Sequence, residues 1–263
     1  MKLLRNFLIS CVLAVTMTAA SPARDAAAQA FAEIGTGYII ANYNALITTY
    51  LLSQPADNRP AKNIDGYARI FACPLVVEYY NNEFEWRKVR ENMNMSINRL
   101  DREYFSYFEF SGSVELDPYD FEKEIFPLNE NASLQGIRLL NIFRYSTQSQ
   151  RGEKNCSHAF GKSKQFIAVH LPTSFSVRLP SAINFKEIPM TPKEAEKFVS
   201  IVQPHERTNT RKVHIRFRVR LDAIADIRTS GTDQEEVIFN GQLLEMDVFA
   251  DKELTQHMVK IEL

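Results

Sequence analysis

Residues 212–221 read Lys-Val-His-Ile-Arg-Phe-Arg-Val-Arg-Leu, the most regular pattern in the chain. Val213, Ile215, Phe217, Val219 and Leu221 alternate with Lys212, His214, Arg216, Arg218 and Arg220. A strict period of two cannot wind into a helix with one apolar side, so this segment must be a strand with one face buried. The basic row makes His214, Arg216, Arg218 and Arg220 a candidate anion-binding set, because aligned cations on a sheet face concentrate positive potential. The same charges have a second use close by. Thr229-Ser230-Gly231-Thr232-Asp233 supplies turn residues, and the strand after it carries Glu245 and Asp247 in an alternating frame. A hairpin with 228 opposite 235 sets Arg218 against Glu245 and Arg216 against Asp247. It also sets Phe217 against Met246 and Val219 against Leu244. Opposite-charge cross-strand pairs contribute about 0.2–1 kcal/mol each and help fix register. Pairing is the favoured use of the row; Arg220 and His214 gain no partner from it and keep anion binding open.

The rest of the chain divides by texture. Ile40, Tyr43, Ile47, Tyr50 and Leu51 have helical spacing and predict a helix over 38–53, ended before Pro55. Ala56 to Asn63 reads as a loop, and Asp65 as the cap of a helix carrying Tyr67, Ile70 and Phe71. Pro74 should kink or restart that helix. Tyr79, Trp86, Val89, Met93, Ile97 and Leu100 continue a helical stripe. From Tyr107 to Leu116 the apolar residues alternate, Asp117-Pro118 marks a turn, and Tyr119-Asp120-Phe121 starts another strand. Residues 145–164 read as a long polar loop. Strands are expected at 166–171, 175–179, 212–227, 236–249 and 256–263. One helix interrupts them, where Thr191-Pro192-Lys193-Glu194 is a capping box with proline at the first helical position. A run of helices followed by strands predicts an α+β fold: a helical N-terminal third packed on a mainly antiparallel C-terminal sheet. The expected divisions are 1–30 as an export signal and Ala-rich leader, 31–103 as the helical region, and 104–263 as the β-rich region with its short helix near 191–202.

The first thirty residues are an address. Lys2 and Arg5 precede an apolar stretch from Phe7 to Met17, and small residues follow through Ala30. This is the order of a cleavable secretory signal, with cleavage expected after Ala20 or Ala30. The stretch is shorter than the roughly 20 apolar residues a spanning helix needs, and no transmembrane segment is expected after cleavage. Leu8-Ile9-Ser10-Cys11 resembles a lipobox, but the apolar run continues beyond Cys11, so lipidation is disfavoured. Three N-x-S/T triplets, at Asn94, Asn131 and Asn155, are read as chance occurrences. The expected location is periplasmic or secreted, with a bacterial host. Losing Cys11 with the signal leaves Cys73 and Cys156. An even cysteine count in an oxidising compartment predicts a Cys73–Cys156 bridge, worth about 3–5 kcal/mol in the chain-entropy model.

No catalytic set stands out. His205-Glu206 lacks the second histidine of a zinc helix, and no C-x-x-C, G-x-S-x-G or S-x-x-K occurs. Glu115, Asp117, Asp120, Glu122 and Glu124 are dense enough to raise a paired-carboxylate site, yet a solvated turn explains them as well. The aromatics at Phe105, Tyr107, Phe108, Phe110, Tyr119, Phe121 and Phe126 read first as sheet core and second as a ligand groove. No cofactor and no metal is expected. The chain's net charge of −1 gives no electrostatic footprint for nucleic acid. The expected function is that of an exported, non-enzymatic binding or accessory protein of the cell envelope, with an unknown protein or small molecule as its ligand. The alternatives are a periplasmic hydrolase with an unrecognised site and a secreted partner-targeting protein.

Overall fold

The computed structural model describes residues 37–130, 134–144, 171–205, 207, 209–229 and 235–261. Among them are five α-helices, a seven-stranded mixed sheet and a two-stranded sheet, with helices gathered toward the N-terminus and strands toward the C-terminus. The fold is α+β.

Strand β1 (Ile39–Ile40) comes first and pairs parallel with β2 (Tyr107–Leu116). The helix expected over 38–53 therefore starts later, as α1 (Tyr43–Leu52). Its start is set by Asn42, whose side chain accepts from the Ala45 N–H at 3.0 Å, and the residues ahead of that cap go to the edge of β2. The loop expected at 56–63 is shorter than read. A 3-10 turn occupies Ala56–Asn58, and α2 (Ala61–Phe71) begins directly after Pro60. Asp65 is thus a mid-helix residue, and its carboxylate serves α4 (Glu83–Asn98) by accepting from Trp86 Nε1 at 3.0 Å and from Arg90 at 2.6 Å. Helix α2 breaks at Ala72, and α3 (Cys73–Tyr79) restarts with Pro74 in its first turn, where the missing N–H costs nothing. Trp86, Ala68 and Val76 form a small buried cluster of their own at this corner. Cys73 opens α3; Cys156 lies outside the described residues, as do the expected signal, the 145–164 loop and residues 166–170 of the expected 166–171 strand.

After β2 the chain turns through Asp120 into β3 (Ile125–Pro127), so Tyr119–Phe121 is a turn and not the strand expected there. Strands β4 (Leu139–Arg144) and β6 (Glu187–Pro189) were not anticipated; β5 (Ser174–Arg178) lies between them. Helix α5 (Pro192–Ile201) carries the capping box, with the Thr191 side chain and the Glu194 carboxylate both engaged. Then come β7 (Arg211–Thr229), β8 (Glu235–Phe249) and β9 (His257–Ile261). The sheet runs β1-β2-β7-β8-β5-β4, with β9 also on β8, while β3 and β6 make the small sheet. Its pairings are antiparallel except β1 on β2 and β5 on β8.

The β7–β8 register departs from a simple hairpin. Arg218 faces Glu245, Phe217 faces Met246 and Arg216 faces Asp247, but Val219 faces Leu243 and Arg228 faces Glu236. Three irregularities, between Arg218 and Val219, Leu221 and Ile224, and Ile224 and Asp226, move the register back and forth. One extra residue on β8, Leu244, is followed by two on β7, so the register ends one residue from where it began, and the ribbon bends without losing its partner. The core face of β7 is sealed: Val213, Ile215 and Val219 are fully buried with Leu46, Ile47 and Leu51 of α1 and Phe108 of β2. One continuous core therefore joins the helical and sheet regions.

Gly241 shows how tightly β8 is held. A Cβ there would collide with the Arg220 carbonyl and stand 2.6 Å from Val177 Cγ2. Gly241→Ala should cost about 1–3 kcal/mol, the range for overpacking a tight interior. Urea unfolding should show a lower midpoint at unchanged slope; an unchanged midpoint would mean the β7–β8–β5 junction is looser than described.

Candidate functional site

The outward row of β7 lies in an ion-paired lattice that spans four strands. Arg218 donates through Nε to Glu109 of β2 at 2.8 Å and through Nη1 to Glu245 of β8 at 2.6 Å. Arg216 donates through Nη2 to Asp247 of β8 at 2.9 Å, and its Nε stands 3.8 Å from Glu109. Strand β9 closes the lattice, with His257 Nε2 3.3 Å from Asp247 and Lys260 Nζ 3.6 Å from Glu245. Aromatic rings cover the guanidinium groups: Tyr38 lies 4.9 Å from Arg218 and Phe249 lies 4.9 Å from Arg216. The side chains of Arg218, Glu109 and Asp247 are 12%, 13% and 6% exposed, so these pairs are far better shielded than ordinary surface salt bridges.

Of the four candidate anion ligands, Arg216 and Arg218 are brought side by side, each with carboxylate partners. Arg220 turns to Asp222, 3.0 Å away on its own strand. His214 is half-buried at the other end of the row. Burial, helped by the Lys212 ammonium, holds its imidazole below its ordinary pKa against the opposing pull of Asp251 and Glu253. Arg216, Arg218 and Lys260 are matched in number by Glu109, Glu245 and Asp247.

Beside the lattice is an open cleft of about 490 Å³, lined by Asn184, Phe185, Lys186, Glu187 and Pro189 on one side and Val259, Lys260 and Ile261 of β9 on the other. It arises because β5 and β9 share one edge of β8: β5 pairs with residues 236–240 and β9 with residues 246–249. The chain leaving β5 bonds to Arg138 and Ile137 through the N–H groups of Leu179 and Ile183 before it becomes β6. Lys260 belongs to both features, on the cleft's rim and at the end of the ion-paired row. Sequence reading missed the cleft, along with Tyr38, Glu109 and Lys260 of the lattice. Glu109 carries a weak signal, alternating between Phe108 and Phe110, but its role depends on β2 lying next to β7.

Three of the five carboxylates raised as a paired site have local duties. Glu115 accepts from Thr210 Oγ1 at 3.1 Å, Asp117 accepts from Asn129 Nδ2 at 2.7 Å, and Asp120 caps the N–H groups of Glu122 and Lys123. Phe105, Phe108 and Phe126 are core, Phe110 stacks on Phe217, and Tyr119 donates to the Met190 carbonyl at 2.6 Å. Tyr107 pairs opposite Arg220, and Phe121 is exposed. Among the described residues no three His, Cys, Asp or Glu side chains gather to hold a metal ion, and no helix is long and apolar enough to cross a membrane.

A family model described as a domain of unknown function (DUF4852) matches residues 60–201. The chain belongs to this family. The matched span runs from the start of α2 to the end of α5 and includes the 184–189 wall of the cleft. The β9 wall and the β7–β8 part of the lattice lie beyond it. No curated protein and no solved structure matches the chain.

Arg218→Ala should cost about 2–3 kcal/mol, because it leaves Glu109 and Glu245 with only their longer contacts to Arg216 and Lys260, and replacing both acids by glutamine in the same chain should recover part of the loss. Additive denaturation energies across that cycle would show the three groups to be independent. Burial alone would raise the Asp247 pKa, but the hydrogen bonds and charges of Arg216 and His257 outweigh it and hold the carboxyl below its ordinary value of 3.8. Its contribution to stability is therefore complete above the unfolded value and is lost as pH falls through the lower folded one. Asp247→Asn should be less stable than wild type at neutral pH and flatten the acid limb of stability against pH; an acid limb of unchanged slope would remove this assignment.

Proposed function

We propose that the protein is exported to the cell envelope and serves there as a non-enzymatic binding or accessory protein, with the cleft between β9 and residues 184–189 as its ligand site. The cleft carries this reading. Its volume lies within the ordinary range for ligand sites, it has apolar contact surface in Val259 and Ile261, and polar groups edge it. The neighbouring arginines and carboxylates are engaged with one another, which suits a stiff wall beside a ligand better than a set of reacting groups. Export rests on the Lys2–Arg5 start, the apolar Phe7–Met17 stretch and the small residues before Ala30. A Cys73–Cys156 bridge belongs to the same proposal and would fasten the α2–α3 corner across a long loop.

The test is native mass spectrometry of the full-length gene product, purified without reductant from the periplasm of a bacterial host. The expected species begins at Ser21 or Phe31, is lighter than its reduced form by about two mass units, and keeps a non-covalent adduct. A full-length species recovered from the cytoplasm would overturn the export reading, and a processed protein that never carries an adduct would count against the binding reading.

A further inference from the structure

Strand β2 pairs with β7 from end to end, Tyr107 with Arg220 through Leu116 with Arg211, and the register never shifts. Its other edge is only partly used. Strand β1 covers Phe108 and Glu109, and the Ala41 N–H donates to the Glu109 carbonyl at 2.8 Å. At the far end the Asn129 N–H donates to the Glu115 carbonyl at 2.8 Å, and the Asp117 N–H donates to the Pro127 carbonyl at 2.9 Å. Backbone groups alternate from one edge of a strand to the other, so these bonds show that the odd-numbered residues face outward. Ser111 and Ser113 lie between them, and both are exposed. Among the described residues nothing accepts from their N–H groups or donates to their carbonyls.

Edge strands ordinarily carry a charge, a proline or a bulge that discourages pairing, or else lie under a loop. The β4 edge has such a break in register, between Asn141 and Phe143, and β1 is only two residues long. Phe110-Ser111-Gly112-Ser113-Val114 has none of these guards. The N–H and C=O groups of Ser111 and Ser113 and the Glu115 N–H form one line, and the backbone that matches their spacing is another extended chain. The opening is short. It runs from Glu109 to Glu115, with β1 at one end and Leu128-Asn129 at the other. A second copy of β2 does not fit: paired two-fold about Gly112, its Glu115 would fall opposite Glu109, on ground that Ile40 already holds. The side chains of the edge narrow the choice further. Ser111 and Ser113 share the face of the charged row and suit hydroxyl partners across the strand pair, while half-buried Phe110 on the other face suits a β-branched one.

We propose that the open edge of β2 takes an extended, uncharged segment of a partner protein, about five residues long, which adds as a strand between β1 and Leu128. Its hydroxyl side chains stand beside Ser111 and Ser113, and its apolar ones beside Phe110 and Gly112. This surface lies on the far side of β7 from the cleft, and either can fail without the other.

The experiment titrates a labelled peptide of alternating valine and threonine, blocked at both ends, with the full processed protein, and follows fluorescence anisotropy and amide hydrogen exchange. In the protein alone the Ser111 and Ser113 amides should exchange far faster than those of Gly112 and Val114, which bond to β7. Saturable binding should then slow both serine amides by about tenfold. N-methylation of the threonine amides should abolish binding if the segment runs antiparallel, and of the valine amides if it runs parallel. Ser113→Pro removes an outward N–H and no bond to β7, so it should abolish binding and leave the slow exchange of Val114 near wild type. If that variant does not fold, the methylated peptides carry the test alone. Serine amides already protected in the protein alone, no saturable binding, binding indifferent to both methylations, or binding that survives Ser113→Pro each overturns the inference. Dimerisation in sedimentation that Ser113→Pro abolishes also overturns it, because a second copy would then hold the edge.

Discussion

Arg218 ties β2, β7 and β8 together from the face opposite the core. A guanidinium can satisfy two carboxylates at once because its donors fan out in a plane, and Glu109 and Glu245 stand on either side of it. The apolar residues of β7 decide which face is buried, but they would tolerate a slip of two residues along either neighbour. The charged row tolerates it less, because a two-residue slip along β8 leaves one arginine opposite an acid and sets the other against Leu243 or Phe249. Register on both sides of the longest strand is thus held by a few shielded ion pairs, and the bulges elsewhere in the β7–β8 ribbon are free to bend it.

That fixed register determines what the far edge of β8 can do. Fifteen residues long, β8 outruns each of the strands on that edge, so β5 takes its first half and β9 its last. Neither can extend toward the other: β5 arrives parallel and leaves at Arg178, while β9 returns antiparallel from the Ala250–Gln256 turn. The gap follows from opposite strand directions meeting on one edge, much as clefts form where connections diverge in open sheets. The cleft is consequently a property of topology, and its walls come from segments about seventy residues apart in sequence.

The parts of this structure legible in the sequence are those whose physics is local. Alternation placed β2 at Tyr107–Leu116, and the Thr191–Glu194 capping box placed the start of α5, because period and cap geometry involve only neighbours. The charge row of β7 and its facing acids were legible too, since one turn joins the two strands. Asp65 misled because a carboxylate ahead of an apolar run looks like a cap, whereas its partners Trp86 and Arg90 sit on another helix. Strand β1 was unreadable for a similar reason: Ile39 and Ile40 fit a helical stripe equally well, and only the edge of β2 makes them a strand. The cleft required knowing that β5 and β9 compete for one edge, which no periodicity records.

Trp86 is the chain's one tryptophan, and its indole is buried against Ala68 and Val76, donates to Asp65 and lies under the Arg90 guanidinium. Ring emission is sensitive to such nearby charge and to water, and no tryptophan lies in the sheet. Indole fluorescence is therefore an intrinsic optical label for the α2–α3–α4 corner, whereas far-ultraviolet dichroism near the strand band reports mainly on β7 and β8. If the two signals part company during unfolding, the corner and the sheet are separate cooperative units that happen to share a wall.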